Sequence, residues 1–265
     1  MDLPQFTPLR VTQSTQPITR GSLDGIDQLV IVVPRNPPAR WAQKLPRGRQ
    51  LEQLYTKATR RGDDVASSRA DNARSTGITV AGFDAATPFA ALTWARKILG
   101  EAQRDKPAAL GIAALGLDPP RATAALSALV AAAHAAAFEL PAFRSTARPA
   151  ATRLRSLRVL GAAQRLELAA AAAHALGNNA ARWLTALPPN VLTAASYRDA
   201  LAKLAKTYSL RFEFLDEAAL KNLRAGAFLA VAQGNAARDA GIAHLSYRPA
   251  RAAAARAALV GKGIL

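Results

Sequence analysis

The chain has no cysteine, which excludes a disulfide framework and any thiolate-ligated metal site. Histidine is scarce as well. His134, His174 and His244 stand apart, and none belongs to a His-Glu-x-x-His pair that would gather a metal ion on one helix face. On their alanine-rich helical faces, His134 and His174 read as core or boundary residues. There is no Gly-x-Ser-x-Gly elbow and no spaced-glycine loop ending in Lys-Ser/Thr, so neither a serine hydrolase nor a phosphate loop is indicated. Aromatics are only 6% of the residues although half are hydrophobic. Alanine supplies much of that half, so the core buries less area per residue than the percentage suggests. The longest apolar run, Ala122 to Leu140, is interrupted by Ser127, His134 and Glu139. It reads as a buried amphipathic helix and not as a membrane span. The N-terminus lacks a basic region followed by an apolar one, so a cytoplasmic protein is expected.

Acids are few beside bases: 18 Asp and Glu against 35 Lys and Arg, a net charge of +17. Such a charge favours contact with polyanions. Twenty-seven of the basic residues are arginine. Between residues 140 and 198 the one acid is Glu167, while Arg144, Arg148, Arg153, Arg155, Arg158 and Arg165 crowd together. Two readings stand: a nucleic-acid patch, or an Ala/Arg bias spread over a solvated surface. The stretch lacks the interleaved aromatics that single-strand binders use for stacking.

Along the chain, hydrophobic pattern predicts alternating strands and helices. Leu29 to Val33 is a continuous β-branched run that suits a strand buried on both faces. Leu51 to Thr59 is a strand or a short helix. Residues 60 to 76 are charged and small, and read as a mobile loop. Ile78 to Gly82, Ala108 to Leu115 and Leu157 to Leu160 read as strands. Pro88 to Arg104 and Pro120 to Phe138 read as helices with proline starts. Ala162 to Leu184 is one long helical pattern broken at Gly177-Asn-Asn179. Thr193 caps a helix to Tyr208, Leu210 to Leu215 alternates like a half-buried strand, and Asp216 caps a short helix. Ala227 to Ala232, Ile242 to Tyr247 and a final Ala257 to Val260 complete the expected strands. This order predicts an α/β fold with a largely parallel sheet. The boundary is expected within 141 to 156, giving residues 1–155 as an N-terminal α/β domain and 156–265 as the beginning of a second.

Five segments of the last hundred residues come in one register: Ala181 to Thr193 with its Leu187-Pro-Pro-Asn190 turn, Phe214-Leu-Asp216, Gly226 to Gly234, His244 to Tyr247, and Leu259-Val-Gly-Lys-Gly-Ile264. In this order they resemble the opening of the catalytic domain of the leucyl (cytosol) aminopeptidase family. The turn departs from the family at Ala186, where an asparagine is usual. The resemblance implies a macro-domain-like α/β fold for the N-terminal part and a metallopeptidase that removes N-terminal residues from peptides. It implies two divalent ions, manganese or zinc, and a homo-hexamer. Only Lys262 carries over as a metal ligand, because the family's Phe-Asp-Ser/Thr-Gly-Gly and later carboxylates do not occur in these residues. A lysine ligates only when neutral, so a dication must first lower its pKa. The expectation is therefore a fragment, inactive by itself and without tight metal binding. The alternative is a non-catalytic basic α/β protein that binds nucleic acid or serves as an assembly module.

Overall fold

A computed structural model describes residues 3–4, 6–43, 45, 47–143, 154–249 and 257–261. The chain divides into two compact units. One runs from Phe6 to Arg182, and the other gathers the described residues from Trp183 onward with Leu3 and Pro4.

The first unit is built on a six-stranded sheet. Its strands are β1 (Arg10–Gln13), β2 (Gln28–Pro34), β3 (Val65–Arg69), β4 (Gly77–Phe83), β5 (Ala109–Ala114) and β6 (Ser156–Leu160), in the order β1-β6-β5-β2-β4-β3. All neighbours pair in parallel except β3, which runs antiparallel to β4. The central strand behaves as its β-branched run demands. Val30 and Val32 join one core cluster, while Leu29, Ile31 and Val33 join the other. Each buried aliphatic side chain of this kind contributes about 1.5–3 kcal/mol.

The helices are α1 (Gly48–Arg60), α2 (Pro88–Ala102), α3 (Pro119–Ala137) and α4 (Leu168–Thr185). Proline opens α2 and α3, where a missing N–H costs nothing. Thr87 Oγ1 accepts the Ala90 N–H (3.2 Å), and Asp118 Oδ1 accepts the Arg121 N–H (2.9 Å). Asp27 is used structurally. Its Oδ2 accepts the N–H groups of Ala108 (3.0 Å) and Ala109 (2.9 Å), which sets the start of β5. On α4, Asn179 Nδ2 donates to the His134 carbonyl (3.5 Å), and Arg182 Nη1 donates to the Ala135 carbonyl (2.9 Å). These bonds satisfy carbonyls in the last turn of α3 that the helix leaves open.

The second unit contains α5 (Ala194–Thr207), β7 (Arg211–Asp216), α6 (Glu217–Asn222), α7 (Gly226–Ala232) and β8 (Gly241–Ser246). β7 and β8 form an antiparallel pair in which Glu213 faces His244. No helix among the described residues is long and apolar enough to cross a membrane.

Several expectations need correction. Residues 65–69 form β3 inside the stretch read as a mobile loop, because Ser67 and its neighbours pair residue by residue with β4. The polar N-terminal segment contributes β1, paired to β6. Helix α4 begins at Leu168 and continues through Gly177-Asn-Asn179, where Asn179 is buried and hydrogen-bonded. His174 is exposed on α4 and is no core residue. Gly226–Ala232 is a helix, not a strand: its three alanines and Leu229 carry helix propensity, and Val231 is its one β-branched residue. Residues 257–260 belong to no strand. Leu259 and Val260 are 99% and 98% exposed and have no ladder partner among the described residues. Finally, β6 pairs with β5 and β1, so the compact unit runs past residue 155 to Arg182. Of residues 141–156, where the boundary was expected, 144–153 lie outside the described ones.

Candidate functional site

The motif-bearing segments lie in the second unit, and their local chemistry explains their shape. Pro188 ends its helix pattern, and its carbonyl accepts the N–H groups of Val191 and Leu192 (2.9 Å each). The chain then reaches Thr193, which caps α5. Thr193 Oγ1 accepts the Ser196 N–H (3.3 Å), while Ser196 Oγ accepts the Thr193 N–H (2.8 Å). This reciprocal pair is a capping box with serine in the usual Glu/Gln place. The next free N–H, on Ala195, is taken by Asp239 Oδ2 (2.9 Å) from 44 residues away. Asn235 Nδ2 donates to the other Asp239 oxygen (2.6 Å). The Asn235 amide holds the Asp239 carboxyl below its ordinary 3.8 against the opposing effect of burial, with lesser help from the Ala195 N–H and Arg198.

The remaining acids of this unit are engaged as well. Glu213 faces His244 Nδ1 at 3.7 Å. Asp216 Oδ1 caps α6 by accepting the Ala219 N–H (2.8 Å). Glu217 Oε2 accepts from Arg238 Nη2 (2.5 Å), while its Oε1 is buried without a partner. Arg198 lies over the Phe214 ring, 5.1 Å from its centroid. So Phe214-Leu-Asp216 and His244 shape a ribbon and a helix start. They are not donors aimed at a common point.

Lys262, the one residue expected to bind metal, lies outside the described residues; Gly261 beside it is exposed. Among the described residues, no three His, Asp or Glu side chains gather where they could hold a metal ion. The described residues therefore do not fit a two-metal centre by themselves. Open α/β sheets often bind ligands at the carboxyl ends of their strands, where strand order reverses. Here the β2–β5 end of the sheet is filled by the chain's own prolines. A side chain at Gly116 (φ 72°) would meet the Pro38 ring at 3.1 Å and the Pro34 ring at 3.5 Å.

The fold is that of leucine aminopeptidases. A mutant of the tomato enzyme matches with a TM-score of 0.68 at 20% identity, covering 95% of this chain and 53% of that one. The leucyl aminopeptidase of Trypanosoma brucei, in its apo form, matches with a TM-score of 0.52 at 15% identity, over 82% and 45% of the two chains. Sequence comparison is more specific. Residues 179–265 match the catalytic domain of the cytosol aminopeptidase family. A probable cytosol aminopeptidase of Parasynechococcus marenigrum is 36% identical over 151 residues, which is 56% of this chain and 30% of the relative. One from Synechococcus sp. (strain CC9605) is 43% identical over 96 residues, 36% of this chain and 19% of its own length. The C-terminal third of the chain is thus similar to the catalytic domain of the cytosol aminopeptidase family. It spans about half the length of the solved chains it resembles, and the aligned segments cover less than a third of these curated relatives.

Sequence reading missed the Asn235–Asp239 pair that completes the α5 cap. The signal was present, since asparagine and aspartate near a glycine commonly bond to nearby backbone. Nothing local in the sequence connects Asp239 to Ala195.

Proposed function

We propose that these residues are the N-terminal α/β part and the opening of the catalytic domain of a two-metal leucyl aminopeptidase, an exopeptidase that removes N-terminal residues from peptides. The observation that carries this reading is the match of residues 179–265 to the family's catalytic domain. In this reading Lys262 ligates one of two divalent ions, manganese or zinc, alongside carboxylates that the 265 residues do not supply. The ions would polarise the scissile carbonyl and activate water. The described residues act as scaffold: the Pro188 turn and the doubly capped α5 hold the chain that leads toward the site. The protein acts as a cytoplasmic homo-hexamer.

The 265-residue chain alone is expected to hydrolyse no leucine anilide above a Lys262→Ala control, with or without manganese or zinc. Activity that depends on Lys262 in this chain would overturn its reading as an inactive part. The decisive test is the coding DNA beyond the Leu265 codon. An in-frame Phe-Asp-Ser/Thr-Gly-Gly supports the aminopeptidase reading, and a stop codon removes it. A purely non-catalytic nucleic-acid protein has less support. Of the arginines that suggested it, Arg144, Arg148 and Arg153 lie outside the described residues, and Arg158 donates to the Asp24 carbonyl (2.6 Å).

A further inference from the structure

Helices α3 and α4 flank a cavity of about 290 Å³. From α3 it is lined by Ser127, Val130 and Ala131, which share one helical face. Glu167, Ala171, His174 and Asn178 recur at helical spacing along the other side. Leu166 and Leu168 extend the apolar wall. The chain entering α4 is held on both sides of this wall. Gln13 Nε2 donates to the Leu166 carbonyl (3.1 Å), and Gln13 Oε1 accepts the Leu166 N–H (2.8 Å). The Glu167 carbonyl accepts the Ala171 N–H (3.0 Å). The Glu167 side chain is different: the residue is exposed, and its carboxylate meets no donor among the described residues. Glu167 is therefore fixed through its neighbours and backbone, with its charge left open to the cavity.

We propose that this cavity binds a small primary amine carried on a short aliphatic body. The chain has 35 lysines and arginines, yet none of them lines the cavity. An anionic ligand would meet a carboxylate there and no lysine or arginine, so the charge the site can offset is positive. A primary ammonium has three N–H donors. The Glu167 carboxylate, the Ser127 hydroxyl and the Asn178 amide oxygen are acceptors in the same lining, and the bond to the carboxylate is the strong one. Glu167 is the one acid present, so the second cationic end of a polyamine would find no partner. No three His, Asp or Glu side chains gather among the described residues, which leaves a metal ion without its ligands. No aromatic ring lines the cavity, so it lacks the cage that quaternary ammonium groups use. Val130, Leu166 and Leu168 instead suit an aliphatic body. The volume lies at the low end for ligand pockets and limits the occupant to a small molecule. This inference is independent of the peptidase reading.

The test is a ligand-observed NMR titration of 3-methylbutylamine with the 265-residue chain, which should bind it saturably. Glu167→Gln should weaken binding about tenfold or more, because the charge-assisted bond is lost. Asp63→Asn removes the same charge from an exposed position elsewhere and should stay within about twofold of the unsubstituted chain. Ala170→Leu places a larger side chain in the lining at an exposed helical position and should abolish saturable binding. Matching thermal midpoints separate a filled cavity from lost folding. The alcohol 3-methylbutan-1-ol has the same body without the charge and should bind about tenfold more weakly or worse. The anion 3-methylbutanoate should not bind. Leucine adds a carboxylate to the amine: tighter binding of leucine supports the proposal with an amino acid as the source of the ammonium, and weaker binding supports it with a simple monoamine. Absent saturable binding of both amines, equal losses in Glu167→Gln and Asp63→Asn, or equal binding of the alcohol and the amine would overturn the proposal.

Discussion

His134 shows how much one residue can tell. It is 2% exposed on α3, and neither ring nitrogen has a hydrogen-bond partner. Burial pushes its pKa below the ordinary 6.5. The folded chain then binds this proton less readily than the unfolded chain. His134 costs no pH-dependent stability above 6.5, and stability falls as pH drops below 6.5 toward the folded pKa. His134→Leu should raise the unfolding free energy at neutral pH by about 1 kcal/mol, read as a higher urea midpoint, because it removes an unsatisfied buried polar group. It should also flatten the loss between neutral and mildly acid pH, and an unchanged acid loss would show that another group is responsible. Gly241 is a steric counterpart. A Cβ there would strike the Phe214 ring and the Leu215 carbonyl across the β7–β8 pair. Gly241→Ala should cost about 1–3 kcal/mol, read as a lowered thermal midpoint and faster hydrogen exchange along β8.

At the scale of elements, the start of α5 is capped twice, by Thr193 and by Asp239. Thr193 and Asp239 serve neighbouring N–H groups, so each partly substitutes for the other. Thr193→Ala should cost about 1 kcal/mol. Asp239→Asn should cost less in the native background and more when Thr193 is already alanine. A double-mutant cycle measures this coupling, and strict additivity would show that the two caps act independently. Because the Asp239 carboxyl is held below its ordinary pKa, its contribution is present at neutral pH and is lost as pH falls through the folded value.

For the whole molecule, the proposed assembly and chemistry have direct readouts. Light scattering on the complete protein should give a mass six times that of its protomer. In that protein, Lys262→Ala should lower activity and metal affinity by about 100-fold. A fall in affinity for peptide alone, with activity at saturation unchanged, would assign Lys262 to substrate binding instead of metal.

Much of the layout was legible in the residues. Leu29 to Val33 announced the central strand, because an unbroken β-branched run can be buried only between two layers. Pro88, Pro120, Thr193 and Asp216 announced helix starts to within a residue, because capping and the first turn are settled by near neighbours. The five ordered segments after Ala181 announced the family. The misread elements share another property. β1 and β3 are short, and they become strands only because β6 and β4 offer ladder partners far along the chain. Gly177-Asn-Asn179 stays helical because α3 gives Asn179 a carbonyl to bond. Gly226–Ala232 has an apolar run too short for its period to distinguish helix from strand. The arginine-rich middle drew attention by composition, yet exposed cations also gather along α1, where helical spacing sets Arg49, Lys57 and Arg60 beside Arg40 and Arg47 of the preceding loop. Local periodicity and capping are written in the chain because their partners are neighbours. Edge strands, buried amides and charged surfaces depend on partners that only the tertiary structure brings within reach.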